Sequence, residues 1–394
     1  MELTELATAL GITAKLPDKL LEFAETYQDN GGVACDLAVV EALQQELDLF
    51  GEFFAPIMRA GESINQNKTL SDWVKVSSQY ALQAAFADAR CIPVPPADGT
   101  VTMDFLPLFM LLPQIPLSIA EYRDRGFPED ELRDLLRGYS GSIGIVKNQT
   151  GRPGVNQTYY GWLHHYTKAI LFKVNGLQFE KFTMPLGASW LKNKKTGELV
   201  PFVLDAVFCG DGKHRLGTAG FTECDETFHA LFEEDEENYY GYPTYNCVVS
   251  SKRETYPKAK WECVARPGDE CLNMHIPKGA DVSRENMQAA CQKALEIVAQ
   301  RYPECKGRMI FCASWLLDPT LSEMLGENSR ITAFQSGFTR YPTKDGGTAV
   351  FSFAFTRRPE DLRDLPEDTS LQRKIKAHCL NGGYIYSYSG IYTG

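Results

Sequence analysis

Between Cys271 and Thr356 the chain carries an order of local patterns that few folds accommodate: strand, helix, strand, short helix, then two strands. The apolar stretch CLNMHIP predicts the first strand, which stops at the turn Lys278-Gly279. Beyond it, Met287, Ala290, Cys291, Ala294, Leu295, Val298 and Tyr302 recur three and four residues apart. That spacing makes one apolar stripe along a helix, and the stripe needs a sheet to cover it. Ser283 predicts the N-cap of this helix and Tyr302-Pro303 its stop. In RMIFCASWLL, the run Met309-Ile310-Phe311-Cys312 is continuously apolar, as in a central strand covered on both faces. Asp318 before Pro319 predicts the cap of a short helix, PTLSEMLGE. Late in the segment, beyond Gly346-Gly347, Ala349, Phe351, Phe353 and Phe355 alternate with smaller residues and predict a strand.

Upstream, residues 1–150 predict helices. LPDKLLEFAETYQ, LAVVEALQQELDLFGEFFAPIMRA and TLSDWVKVSSQYALQAAFADAR all carry apolar residues at helical spacing. Thr69 predicts the cap of a helix starting near Leu70, and CIPVPPADGTV predicts a break. Pro128 suits a first helical position, followed by Glu129, Asp130 and Glu131, which favour the positive end of the helix dipole. The turn-rich NQTGRPGVNQT predicts a boundary, after which strands take over. AILFKV and LQFEKFTM flank Asn175-Gly176, a strong hairpin signal, and PFVLDAVFCG predicts one further strand. The acidic FEEDEENYY predicts a solvated helix face or loop. These patterns predict an α+β protein: a helical N-terminal domain over 1–150 and an α/β domain over 151–394 with a mixed, mostly antiparallel sheet.

Bulk properties exclude several classes of function. At 394 residues, two or three domains are expected. A net charge of −11 argues against a nucleic-acid partner, and the cluster Lys192, Lys194 and Lys195 reads as a solvated loop with Glu198 close behind. No apolar run reaches the ~20 residues of a membrane span, and MELTELATALGITAKLPDKL is acidic and amphipathic rather than a signal peptide. No membrane partner and a cytoplasmic location are expected. The eleven cysteines form no CxxC pair. Cys247, Cys291 and Cys312 lie in apolar patterns and read as small buried hydrophobes in a reducing compartment. With only His164-His165 and scattered histidines as further ligands, no metal site is expected.

The first strand of the 271–356 segment leads through a tight turn into a helix N-terminus. Free amides and the helix dipole converge there on a candidate anion site. Ile276, Lys278, Gly279, Ala280 and Ser283 are its candidate binding residues, Lys278 adding positive charge. An ordinary strand-to-helix connection would read the same way. His275, at the end of the strand, titrates in the range a general base needs, as would a packed histidine bonded to a carbonyl. Cys312 with His275 would make a thiol nucleophile pair on adjacent strands, but Cys312 lies in an apolar run where a thiol is inert.

Several stretches resemble one bacterial family: Trp162-Leu163, Gly176-Leu177-Gln178-Phe179, Pro267-Gly268-Asp269, His275-Ile276-Pro277, Asn328-Ser329 and Leu365-Pro366 to Gly382-Gly383. The most specific is Ser314-Trp315-Leu316-Leu317-Asp318-Pro319. The family comprises acyltransferase-domain proteins with an N-terminal N-acyltransferase domain and a GNAT-like C-terminal domain. The similarity covers roughly 110–394, with 187–260 longer than is usual and read as an insertion. The resemblance implies a GNAT-like α/β domain and transfer of an acyl group from acyl-CoA, as co-substrate, to a small-molecule amine or peptide amine. It also implies pyrophosphate binding at a Gln/Arg-x-x-Gly-x-Gly/Ala turn. The matching Lys278-Gly279-Ala280-Asp281-Val282-Ser283 lacks the second glycine and adds a carboxylate. The family's tyrosine donor to the departing thiolate has no counterpart in PTLSEMLGE, leaving Ser314, Ser322 and Tyr341 as candidates beside His275. These departures keep a second reading open, a GNAT-like fold that binds a ligand or partner without catalysis.

Overall fold

The structure, a computed structural model, describes residues 2–29 and 31–394. It divides into two compact units, with the boundary between Phe172 and Lys173.

The first unit is built of helices from Leu3–Ala9 to Gln157–Thr167. Its central helix, Lys68–Gln83, buries Leu70, Trp73, Val74, Ser77, Tyr80 and Ala81, the stripe expected from their spacing. The cap is Asn67 rather than Thr69: the Asn67 side chain accepts from the Leu70 amide, which starts the helix two residues earlier. Pro128 stands at the cap of Glu129–Leu136 rather than inside it, and the three acidic residues fill the first turn. NQTGRPGVNQT does not end the helices. Its own Asn156 accepts from the Tyr159 amide at 3.1 Å and caps Gln157–Thr167.

Among the described residues, a six-stranded sheet frames the second unit, its first strand beginning two residues before the boundary. We number its strands β1 (Leu171–Val174), β2 (Leu177–Thr183), β3 (Glu270–His275), β4 (Ile310–Ser314), β5 (Phe338–Pro342) and β6 (Tyr388–Tyr392). Their spatial order is β1-β2-β3-β4-β6-β5. The β3–β4 pair is parallel, and β2–β3, β4–β6 and β5–β6 are antiparallel. The β1–β2 turn is the expected hairpin: Asn175 and Gly176 take φ of 50° and 81°, the left-handed pair that a two-residue turn needs.

The helix Arg284–Arg301 crosses over between β3 and β4, as parallel neighbours require. Met287, Ala290, Cys291, Ala294, Ile297 and Val298 are buried along its stripe. Lys181 of β2 reaches the Tyr302 ring just beyond its end, at 5.2 Å from the centroid. Alternation along the strands puts Lys181, Leu272, Ile310 and Cys312 on this helix-covered face. Glu180, Phe182, Asn273, His275, Phe311 and Ala313 point to the other.

That other face is covered by the segment between β2 and β3. Its strands form small sheets: Leu199–Val203, Ala188–Asn193 and Trp261–Ala265; Asp205–Cys209 with Thr227–Leu231; and Glu233–Glu234, Asn238–Gly241 and Glu254–Pro257. Trp190, Val203, Ala206 and Phe208 from this segment share one core with Cys271, Phe311, Tyr341 and Ile391 of the main sheet. PFVLDAVFCG is therefore two strands broken at Leu204, and the acidic FEEDEENYY is a hairpin. Cys209 and Cys224 are disulfide-bonded, with Cα atoms 5.6 Å apart, against the expectation of unpaired thiols. Cys247, Cys291 and Cys312 are free and buried.

Downstream, Pro319–Leu325 is the expected short helix, with Asp318 accepting from the Thr320 amide at 2.8 Å. Ala349–Ala354 is a helix, not a strand. It buries Val350 and Phe351 in a core with Leu321, Ile375 and Ile385, while Phe353 points to solvent at 60% exposure.

Candidate active site

The sheet opens where β3 and β4 run side by side. They pair only at Leu272–Ile310 and Asn273–Phe311. Beyond this point β3 stays bonded to β2 as far as His275, and β4 stays bonded to β6 as far as Ser314. The two strands therefore diverge in the middle of the sheet, leaving facing backbone groups without each other as partners.

His275 stands at this opening. Its Nε2 lies 2.7 Å from Glu180 Oε2 and 3.3 Å from Asn273 Nδ2. The antiparallel register places Glu180 opposite Asn273, one step diagonally from His275, on the same face. The Glu180 side chain is 3% exposed and that of His275 28%, so the carboxylate is sheltered while the imidazole meets solvent. The contact fits Nε2–H donating to the carboxylate, which would fix the orientation of the ring. Glu180 was not foreseen. Its signal was a carboxylate inside the otherwise strand-like LQFEKFTM, 95 residues from the histidine it supports.

The chain leaves β3 through Ile276 and enters a tight turn. Ala280 N–H donates to the Pro277 carbonyl at 3.1 Å, and Gly279 takes φ +83°, with nothing near where a Cβ would stand. Lys278 and Gly279 are exposed. Ser283 caps the following helix as expected, its Oγ accepting from the Asn286 amide at 3.4 Å. The Asp281 carboxylate folds back to accept from Ser283 N–H at 2.9 Å and Ser283 Oγ at 3.0 Å. That backbone bond holds the Asp281 carboxyl below its ordinary range. Asn286 Nδ2 ties the turn down by donating to the Asp281 carbonyl (2.7 Å) and the Asn175 carbonyl (3.2 Å). The first-turn amides of an 18-residue helix, with no intrahelical partners, are thus held beside the turn.

The other candidate residues lie apart from His275. Ser314 ends β4 on the helix-covered face, and its Oγ accepts from the Leu316 amide at 3.1 Å, capping a single turn at Trp315–Leu317. Tyr341 is on the same face as His275 but on β5, three strands away in the sheet order. It is 4% exposed, stacked edge-on against Trp190, and burial pushes its hydroxyl up to about 12. Burial likewise pushes the Cys312 thiol up to about 12, on the face opposite His275, so the two form no nucleophile pair.

Residues 171–392 match the family described as GNAT-like C-terminal domain. No curated protein sequence matches the chain. Among solved structures, an acyltransferase in complex with decanoyl-CoA and teicoplanin is similar with a TM-score of 0.67 and 18% identity, over 100% of this chain and 99% of that one. A mutant acyltransferase in complex with octanoyl-CoA and an acyltransferase in complex with CoA and 10C-teicoplanin are each similar at a TM-score of 0.66 and 17% identity, with the same coverage. At such identities the likeness is one of fold, and it extends over both units. The family match spans more than half of the 394 residues, and the parallel pair that opens within a mostly antiparallel sheet lies inside it. The chain belongs to the family of proteins with a GNAT-like C-terminal domain.

Proposed function

We propose that this protein transfers an acyl group from acyl-CoA to an amine of a small molecule or peptide. The divergence of β3 from β4 carries this reading. It offers the amide-bearing arm of the thioester backbone groups that β3 and β4 do not use on each other, and its far end adjoins the turn and helix N-terminus. Ile276, Lys278, Gly279, Ala280 and Ser283 line the path by which the pyrophosphate would reach those amides.

The reaction needs a neutral amine, and His275, backed by the Glu180 carboxylate, is positioned to take its proton. The amine nitrogen attacks the thioester carbonyl, the tetrahedral oxyanion forms, and the carbon–sulfur bond breaks to release CoA thiolate. The thiolate then takes up a proton, which balances the one left on His275. Backbone amides at the divergence are the nearest source of oxyanion stabilisation, with no special side chain required.

A second reading, a GNAT-like fold that binds a ligand or partner without catalysis, is favoured by Asp281, whose carboxylate already engages the Ser283 amide at the place an anion would use. Calorimetry with acyl-CoAs from acetyl to decanoyl separates these outcomes. The decanoyl and octanoyl ligands of the similar acyltransferases make those lengths the first to try. Binding is expected, with CoA release in the presence of an amine. His275→Ala should lower turnover by about 100-fold or more while binding and melting temperature hold. Binding with no turnover toward any amine supports the second reading, and no binding of any acyl-CoA at millimolar concentration removes the acyl-transfer reading and leaves the second.

A further inference from the structure

A cavity of about 220 Å³ opens at the rim of the core around Ile375 and Ile385, and no residue of the proposed acyl-transfer site lines it. The helix Ala349–Ala354 contributes Phe351, the single turn Leu362–Asp364 contributes Leu362, and the end of Ser370–Leu380 contributes Cys379. Phe351 and Cys379 are buried, whereas Arg358, Gly382 and Tyr384 are exposed, so the cavity runs from the core to solvent. Its walls are closely fitted. A Cβ at Gly383 would stand 2.2 Å from the His378 ring, and one at Gly347 would stand 2.8 Å from the Tyr384 ring. Tyr384 also stacks on Tyr386 with centroids 5.8 Å apart, and Tyr386 is tied down through its amide to Asp318 and its hydroxyl to the Ala219 carbonyl.

The polar groups nearby are committed, with one exception. Gly347 N–H donates to Asp345 Oδ1, Gly382 N–H to the Cys379 carbonyl and Gly383 N–H to the His378 carbonyl. Neighbouring cations are paired as well, Arg363 with Asp361 and Lys376 with Glu367. Arg358 is the exception: its guanidinium lies over the Phe351 ring, 5.0 Å from the centroid, and among the described residues it has no hydrogen bond or ion pair. Burial raises the Cys379 thiol and Arg358 lowers it, which puts the cation within electrostatic reach of the buried end of the cavity. A guanidinium fork held on an aromatic face beside apolar walls suits a carboxylate. A phosphate would ask for a second cation or free amides, and the lining offers neither. Apolar cavities of about 150 Å³ already take benzene, so the larger volume here leaves room for a ring with a short acidic arm. We infer that this cavity binds a small aromatic monocarboxylate, its ring against Phe351, Leu362 and Tyr384 and its carboxylate on Arg358. The inference is independent of the acyl-transfer reading.

Calorimetry on the full chain tests this with phenylacetate, its neutral isostere phenylacetamide, and acetate. Phenylacetate should bind wild type with a Kd below about 1 mM, and the other two about ten-fold or more weaker, because each lacks one half of the recognition. Arg358→Gln should weaken phenylacetate about ten-fold or more with the melting temperature unchanged. Leu362→Trp, which fills the cavity and keeps the charge, should weaken it as much, whereas Lys278→Gln should leave it within about three-fold. No binding of phenylacetate at about 10 mM, or equal affinity for phenylacetamide or acetate, would overturn the inference. So would unchanged binding in Arg358→Gln or Leu362→Trp, and a loss in Lys278→Gln would place the carboxylate at the turn after β3 instead.

Discussion

Asp318 illustrates how much one buried side chain holds in place. It is 1% exposed, yet it supplies both carboxylate oxygens to backbone donors: Oδ1 to Thr320 N–H at 2.8 Å and Oδ2 to Tyr386 N–H at 2.6 Å. One bond caps a helix, and the other ties in the segment leading to β6, 68 residues later. Asp318→Ala would strand two backbone donors and is expected to cost about 2–4 kcal/mol in urea denaturation at pH 7. Burial also raises the Asp318 carboxyl above its ordinary value of 3.8. The folded protein thus holds this proton more tightly than the unfolded chain, and the group's contribution to stability falls as pH rises from that ordinary value through the raised one. Asp318→Asn should remove this part of the pH dependence, and an unchanged slope in pH-resolved melts would refute the assignment. The cap role was readable from Asp-Pro alone. The bond to Tyr386 was not, because no local pattern encodes a partner so far along the chain.

Elements were legible in proportion to how much of their signal is local. The Asn175-Gly176 hairpin and the helix from Ser283 to Tyr302 carry their turn, cap and stripe within a few residues, and both formed as expected. The alternating phenylalanines of 349–355 misled because seven residues cannot separate a two-residue period from a short helix, and the core they join lies elsewhere in sequence. β6 gave no signal, since YSGIY is covered on both sides and needs no polar face. The site was half visible for the same reason. His275 and the turn are contiguous in sequence, whereas Glu180 reaches His275 only through sheet register. The covering segment holds its own measurable contact: Glu234 bonds Arg266 and, at 2.8 Å, Lys258. Those hydrogen bonds, Arg266 first, lower the Glu234 carboxyl from 4.5 to about 2. Because the folded value is the depressed one, the stabilisation is complete above the ordinary value and is lost as pH falls toward 2. Melts between pH 5 and 2.5 should show a drop that Glu234→Gln flattens, while a slope identical in both proteins would count against this triad.

For the whole molecule, charge and ligand pull in opposite directions. The chain carries −11, and acyl-CoA, the proposed co-substrate, is itself a polyanion, so on the acyl-transfer reading distant charges would repel the ligand that the turn and helix N-terminus would attract locally. Salt shortens the reach of the first effect, from about 30 Å at 0.01 M to about 8 Å at 0.15 M, more than it weakens contacts at close range. The association rate of acyl-CoA, followed by stopped flow, should therefore rise over that interval, and a steady fall would mean that a basic surface dominates the encounter. The opening between β3 and β4 has one more consequence. An unpaired strand at the rim of a sheet invites a strand of another chain and so risks aggregation. Here the unpaired groups are flanked by bonded strands on both sides. A strand of another chain would have to enter between two strands already bonded to their neighbours, so the protein keeps such an edge inside its sheet and away from the rim.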